Sequence, residues 1–212
     1  MKIIILNGAP RTGKDTLGNY CHGQDSLFWI DQTSDTAPAK AYSFYLESFA
    51  QPIKDALITF FSLTSAEYDY FNNEGKDIPS DRLFGKTFRH WCKQFSETLV
   101  KPNSTLSAFG DLMVNRIKNN VLSAKFNYIV TDSGFDDEIE PLIKEFGAEN
   151  ISVVKIFMDG HDFTNDTRRY LDCQKLGVRE YHIENVKGSI DKFREEGYKL
   201  ICDIINESVN NE

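Results

Sequence analysis

Ile3-Ile4-Ile5-Leu6-Asn7-Gly8-Ala9-Pro10-Arg11-Thr12-Gly13-Lys14-Asp15-Thr16 stands almost at the start of the chain. Residues 2–6 read as a strand, because Ile3 to Leu6 are consecutively apolar, as in a strand buried on both faces. Lys14 to His22 reads as a helix. Between them Gly8, Gly13 and Lys14 fit the spacing GxxxxGK, in the strand–turn–helix setting that gives this motif its meaning. Glycines let the backbone wrap so that N–H groups point inward, and the helix N-terminus adds partial positive charge. Lys14 is then the residue that reaches the β- and γ-phosphates of ATP, with Thr12 and Gly13 in the cradle. Asp15 occupies the place where a serine or threonine usually ligates Mg²⁺, and Thr16 follows one residue later. A carboxylate suits Mg²⁺ directly or through water, so Asp15 and Thr16 are metal-ligand candidates. Arg11 lies inside the loop, where it either adds charge near the transferred group or is solvated.

Outward from this loop, strands and helices alternate. Strands are expected at 42–46, 126–131, 151–157 and 180–183. Helices are expected at 52–61, 86–100, 107–122, 136–146 and from Ser189 to about Asn206. Residues 23–40 and 64–84 read as loop or surface insert, because polar, Gly and Pro residues break any period. The expected fold is therefore α/β, a P-loop NTPase with a five-stranded, mostly parallel sheet flanked by helices. Residues 1–212 read as one domain, with no repeat and no low-complexity tract.

Composition narrows the function classes. With 41% apolar residues, 16 Phe and 9 Tyr, the chain has ample core material. A net charge of -8 gives no global attraction for nucleic acid or anionic membrane. There is no long apolar run, and residues 2–6 are too short for a signal peptide, so a cytoplasmic protein without a membrane partner is expected. Cys21, Cys92, Cys173 and Cys202 are far apart and read as reduced thiols.

Further candidates follow from position. Asp132 stands at the carboxyl end of the 126–131 strand, where ligands of open α/β sheets bind. It reads either as a Mg²⁺-water ligand or as a turn residue before the helix at 136. Arg168 and Arg169 follow the fourth strand and could close over ATP, one of them facing inward because adjacent helical residues diverge. Lys86, Arg89, His90 and Lys93 share roughly one helix face, which suits an acceptor phosphate or simply solvent, and Gln94 follows them. Phe49 is either a stacking ring or core, and Lys54 either a phosphate contact or solvated.

Gly8 to Thr16, with its Gly-Lys-Asp-Thr ending, resembles the phosphate loop of phage-type deoxynucleoside monophosphate (dNMP) kinases. Phe49 to Leu57, Phe88-Arg89, Val130 to Phe135 and Asn165 to Arg168 resemble the same family in the same order. The resemblance implies a nucleoside monophosphate kinase-like fold with an acceptor-binding region at about 49–105 and a lid at about 159–179. It implies that Gly13, Lys14, Asp15 and Thr16 hold ATP and Mg²⁺, that Arg89 holds the acceptor phosphate, and that Arg168 belongs to the lid. The implied reaction is ATP-dependent phosphorylation of a dNMP to its diphosphate by a monomer or homodimer. Phage 5-hydroxymethyluracil DNA kinases resemble the same group. For them the acceptor is a base hydroxymethyl group in DNA, Asp132 would be the activating base, and Lys86, Arg89, Lys93 and Lys101 would line the channel. A third reading is an ATP-binding module without transfer.

Overall fold

All six residues of the opening strand, β1 (Ile3–Gly8), are buried. A computed structural model of the chain describes residues 1–28, 43–120, 126–164 and 166–207. The helix after the glycine turn, α1, runs Lys14–Phe28. Then come β2 (Phe44–Glu47), α2 (Gln51–Phe61), α3 (Ser65–Asn72), α4 (Phe88–Gln94) and α5 (Ala108–Asn119). They are followed by β3 (Asn127–Ser133), α6 (Asp136–Phe146), β4 (Ile151–Phe157), α7 (Cys173–Leu176), β5 (Arg179–Glu184) and α8 (Ile190–Glu207). The sheet order is β2-β3-β1-β4-β5, and every pairing is parallel. The expected α/β class with five strands is thus the observed one, and the sheet is wholly parallel.

Strand side chains alternate between the faces, which splits the core in two. Ile3, Ile5, Tyr128, Val130 and Val153 pack with residues of α2, α5 and α6. Ile4, Leu6, Ile129, Val154 and Ile156 pack with residues of α1 and α8. Each fully buried Ile or Leu contributes roughly 1.5–3 kcal/mol relative to exposure. On the second face the backbone of α8 presses close to α1: a Cβ at Gly197 would lie 2.5 Å from Leu17 Cδ1.

Several boundaries differ from expectation for identifiable reasons. Within the stretch expected to be loop, Ser65–Asn72 is helical because Thr64 and Glu67 form a capping box, with N–H···O distances of 2.8 and 3.3 Å. The helix expected over 86–100 starts at Phe88, where Thr87 Oγ1 accepts from His90 N at 3.0 Å. It is α-helical only to Gln94 and continues as a π-helical stretch over Phe95–Val100. There the Thr98 hydroxyl donates to the Gln94 carbonyl at 2.5 Å, competing for the backbone ladder. Residues 23–28, expected as loop, extend α1, and the rest of the 23–40 expectation lies outside the described residues, as do Tyr42 and Val121. Among the described residues no helix is long and apolar enough to cross a membrane.

Candidate functional site: a cleft between the phosphate loop and the 49–105 region

β1 delivers the glycine loop to the carboxyl edge of the sheet, between β3 and β4. The loop requires its glycines. A Cβ at Gly8 would sit 2.7 Å from Ile156 O and from Thr12 Oγ1. Gly13 has φ 101°, and a Cβ there would sit 2.7 Å from Asn185 Nδ2. Arg11 also holds a positive φ of 67°. The loop's inner frame is polar and buried. Thr12 Oγ1 donates to Ala9 O at 3.0 Å, and Asn185 Nδ2 donates to Thr12 O at 2.9 Å. Among the described residues, the backbone N–H groups of Gly13, Lys14, Asp15 and Thr16 have no protein acceptor, as the first turn of a helix leaves them.

Lys14 is folded under the loop rather than out into water. Its Nζ donates to Gly8 O and Ala9 O, both at 2.8 Å, and the residue is 7% exposed. Withdrawal from water, and then the positive Arg168 nearby, bring its ammonium down to about 8. Asp15 is exposed and Thr16 half-buried, with no protein hydrogen bond to either side chain among the described residues. One free carboxylate and one hydroxyl beside an anion cradle fit Mg²⁺, which takes few protein ligands and fills its shell with water and phosphate oxygens.

Asp132 lines the cleft and is not the turn residue before α6. Between Ile5↔Val130 and Asn7↔Ser133 the β1–β3 register shifts, giving β3 one extra residue around Thr131 and Asp132. The carboxylate accepts from Ser48 Oγ (2.6 Å), Phe49 N (2.8 Å) and Ala50 N (3.0 Å). It therefore secures the entry to α2 rather than the turn before α6, and little of its acceptor capacity is left.

The paired arginines diverge. Arg168 lines the cleft, forked onto Asp166 at 2.9 and 2.6 Å, and this pairing brings the Asp166 carboxyl down to about 2. Its side chain lies on Gly134, where a Cβ would be 2.5 Å from Arg168 Cβ. Arg169 turns away to Asp136 at 2.6 Å, with its side chain 67% exposed. Neither expectation nor motif pointed to Asn7, which is fully buried and holds this segment: its Nδ2 donates to Arg169 O (3.2 Å) and its Oδ1 accepts from Leu171 N (2.9 Å). Leu171, Cys173, Leu176 and Val178 are core, so the stretch expected as a lid is core over its second half. Asn165, at the head of the arginine segment, lies outside the described residues.

A cleft of about 880 Å³ joins these groups to the 49–105 region. Phe49 is 2% exposed and belongs to the core, with an edge on the cleft. Lys54, Arg89 and Lys93 line the cleft. Lys86 and Gln94 do not; they line a separate shallow depression with His90 and Trp91, because α4 turns that face outward. Lys76 is a cleft residue that sequence reasoning missed. Removal from water, and then the positive Lys54 and Arg89, lower its ammonium pKa. Among the described residues neither Lys54, Lys76 nor Lys93 forms an ion pair. Arg89 forks onto Asp77 at 2.5 and 3.1 Å, and Asp77 also meets Arg11 of the loop at 3.6 Å. Glu138, also missed, is 5% exposed, lines the cleft and has no hydrogen-bond partner among the described residues for its side chain. Burial, and then negative Asp132, push its carboxyl up to about 8. Among the described residues there is no group of three or more His, Cys, Asp or Glu placed to hold a metal by themselves.

No family model matches the chain, and no curated protein matches its sequence. Among solved structures, it is similar to a gluconokinase from Sinorhizobium meliloti 1021, at 10% identity and a TM-score of 0.43, over 99% of this chain and 94% of that one.

Proposed function

We propose that the protein transfers the γ-phosphoryl group of ATP to the phosphate of a deoxynucleoside monophosphate, giving ADP and the diphosphate. One observation carries this reading: a single cleft joins an anion cradle, with its lysine folded beneath it, to a second group of cations, Lys54, Lys76 and Arg89. Two separate cationic sets around one cavity suit two phosphate-bearing ligands. The free amides of Gly13 to Thr16 bind donor phosphate oxygens, and Lys14 exchanges its bonds to Gly8 O and Ala9 O for the β- and γ-phosphates. Lys54, Lys76 and Arg89 hold the acceptor phosphate. An acceptor oxygen forms a bond to the γ-phosphorus as the bond to the β–γ bridging oxygen breaks, and ADP leaves with that electron pair. Arg168 offsets charge on the transferred group. A phosphate acceptor has no proton that must be removed first, so no general base is assigned. Mg²⁺, held by Asp15 and Thr16, would supply further charge neutralisation across the donor phosphates.

The test offers labelled ATP with each dNMP and, separately, with hydroxymethyluracil-containing duplex DNA. Label in nucleoside diphosphate is expected, and it disappears in Lys14→Ala. Label in DNA would move the reading to the base hydroxymethyl acceptor. ATP binding with no labelled product would leave a nucleotide-binding module.

A further inference from the structure

Glu138 is a buried carboxyl that the transfer chemistry above does not use. It lies in the first turn of α6 beside Asp136 and Asp137, but only its neighbour Asp136 is accounted for by the fold: Asp136 takes Arg169 at 2.6 Å and Asp172 N at 3.1 Å. Glu138 is 5% exposed, and its side chain makes no hydrogen bond among the described residues. Its oxygens are not sealed in the core but reach the cleft, so the partner that the fold does not supply can come from there. A donor within the fold is close but engaged. Lys101 stands nearby, but its Nζ donates to Glu97 at 2.9 Å and lies 4.2 Å over the Phe135 ring.

The surroundings of Glu138 limit what could satisfy it. Its open side is the cleft, whose lining also includes Phe49, Phe109 and Phe135, the last only three residues before it. α5, which carries Phe109, packs tightly on α6: a Cβ at Gly110 would lie 2.3 Å from Glu138 O. The ionic neighbours of Glu138 are Asp132, Lys101, Arg168 and Asp137, whereas those of Lys76 are Lys54, Arg89 and Asp15. The carboxyl therefore belongs to a part of the cleft different from the acceptor-phosphate cations. Aromatic rings beside a lone acceptor group suit a flat heterocycle that presents an N–H on its edge.

We propose that Glu138 is a specificity-determining residue that accepts a hydrogen bond from a base N–H of the acceptor nucleotide. The inference rests on the dNMP reading and deepens it, from any dNMP to one selected by its base edge. A site whose buried polar group is left unpaired by the wrong ligand discriminates strongly, which is how a single carboxyl can rank acceptors.

Steady-state kinetics on wild type, Glu138→Leu, Glu138→Ala and Glu138→Gln with each of the four dNMPs tests this. Glu138→Leu fills similar space without an acceptor, so it stands as the test if Glu138→Ala does not fold, and Glu138→Gln, whose amide oxygen still accepts, is the conservative rescue. The expected result for Glu138→Leu and Glu138→Ala is a rise of about tenfold or more in KM for the acceptor that wild type prefers, a much smaller change for the least favoured one, and an unchanged KM for ATP, with Glu138→Gln much nearer to wild type. An unchanged ranking of kcat/KM in Glu138→Leu, or an equal loss on all four acceptors, would overturn the proposal while the dNMP reading stands. Wild type that phosphorylates none of the four would overturn both.

Discussion

At the loop end of the cleft, Gly13, Lys14, Asp15 and Thr16 offer backbone amides, and Lys14 is almost fully buried. At the other end Lys54, Lys76 and Arg89 offer side chains only, and Arg89 is shared with exposed Asp77. The amides have fixed directions, set by a backbone that tolerates no Cβ at Gly8 or Gly13 and braced by the Asn185 carboxamide. The side chains are set by rotamers and by mutual repulsion, which a bound anion relieves. One end is rigid and chemically narrow; the other is adaptable and redundant. A loss at the first end should therefore be all-or-none, and a loss at the second graded.

The sharpest contrast comes from Lys14→Ala. Transfer is expected to fall on the order of 10³-fold or more, with the far-ultraviolet circular dichroism unchanged, because in the proposed reaction the side chain serves the phosphates and not the core. A mutant turning over within tenfold of wild type would break the comparison. Next, Gly13→Ala forces a side chain to φ 101° and into Asn185 and Phe193, and should lower stability by about 2 kcal/mol or more in denaturant melts. A neutral outcome would mean that the loop is less rigid than its geometry implies.

Acidity supplies a third test. The ammonium of Lys14 is held at about 8 in the free protein, below its ordinary 10.5. Phosphate pairing needs the charged form, so above pH 8 nucleotide binding must take up a proton. ATP affinity should then fall by up to tenfold per pH unit above that point and be flat below it. Calorimetry in buffers of different ionisation enthalpy reads the proton uptake directly, and pH-independent binding up to pH 10 would contradict the burial of Lys14. The smallest effect belongs to the adaptable end. Lys76→Ala should raise acceptor KM about fivefold and leave ATP KM unchanged, since Lys54 and Arg89 remain. An abolished activity would show that this end is not redundant.

The loop, the strands, α6 and α8 were legible because their signals are local: a glycine spacing, apolar runs, Gly147 just past α6 and Ser189 just before α8. The capping box of α3 was equally local in Thr64-Ser65-Ala66-Glu67 and could have been read. What stayed hidden depends on partners far along the chain. Asp132 meets Ser48, Phe49 and Ala50 more than eighty residues away, and no spacing rule encodes that. Arg168 and Arg169 look alike in sequence, and their divergence is decided by Asp166 and Asp136. Lys76 lies in a stretch without periodicity, and Glu138 stands in a run of acids, Asp136-Asp137-Glu138, from which only the fold selects the one that turns inward to the cleft.

The buried carboxamide of Asn7 limits how Arg168 can move. It fixes the backbone at Arg169 and Leu171 to the end of β1, and Arg169 N is bonded to Gly134 O at 3.1 Å. Arg168 is thus carried next to an immobile anchor. Freeing its charge means breaking the fork to Asp166 and turning χ angles while the backbone that follows it stays tied to the sheet.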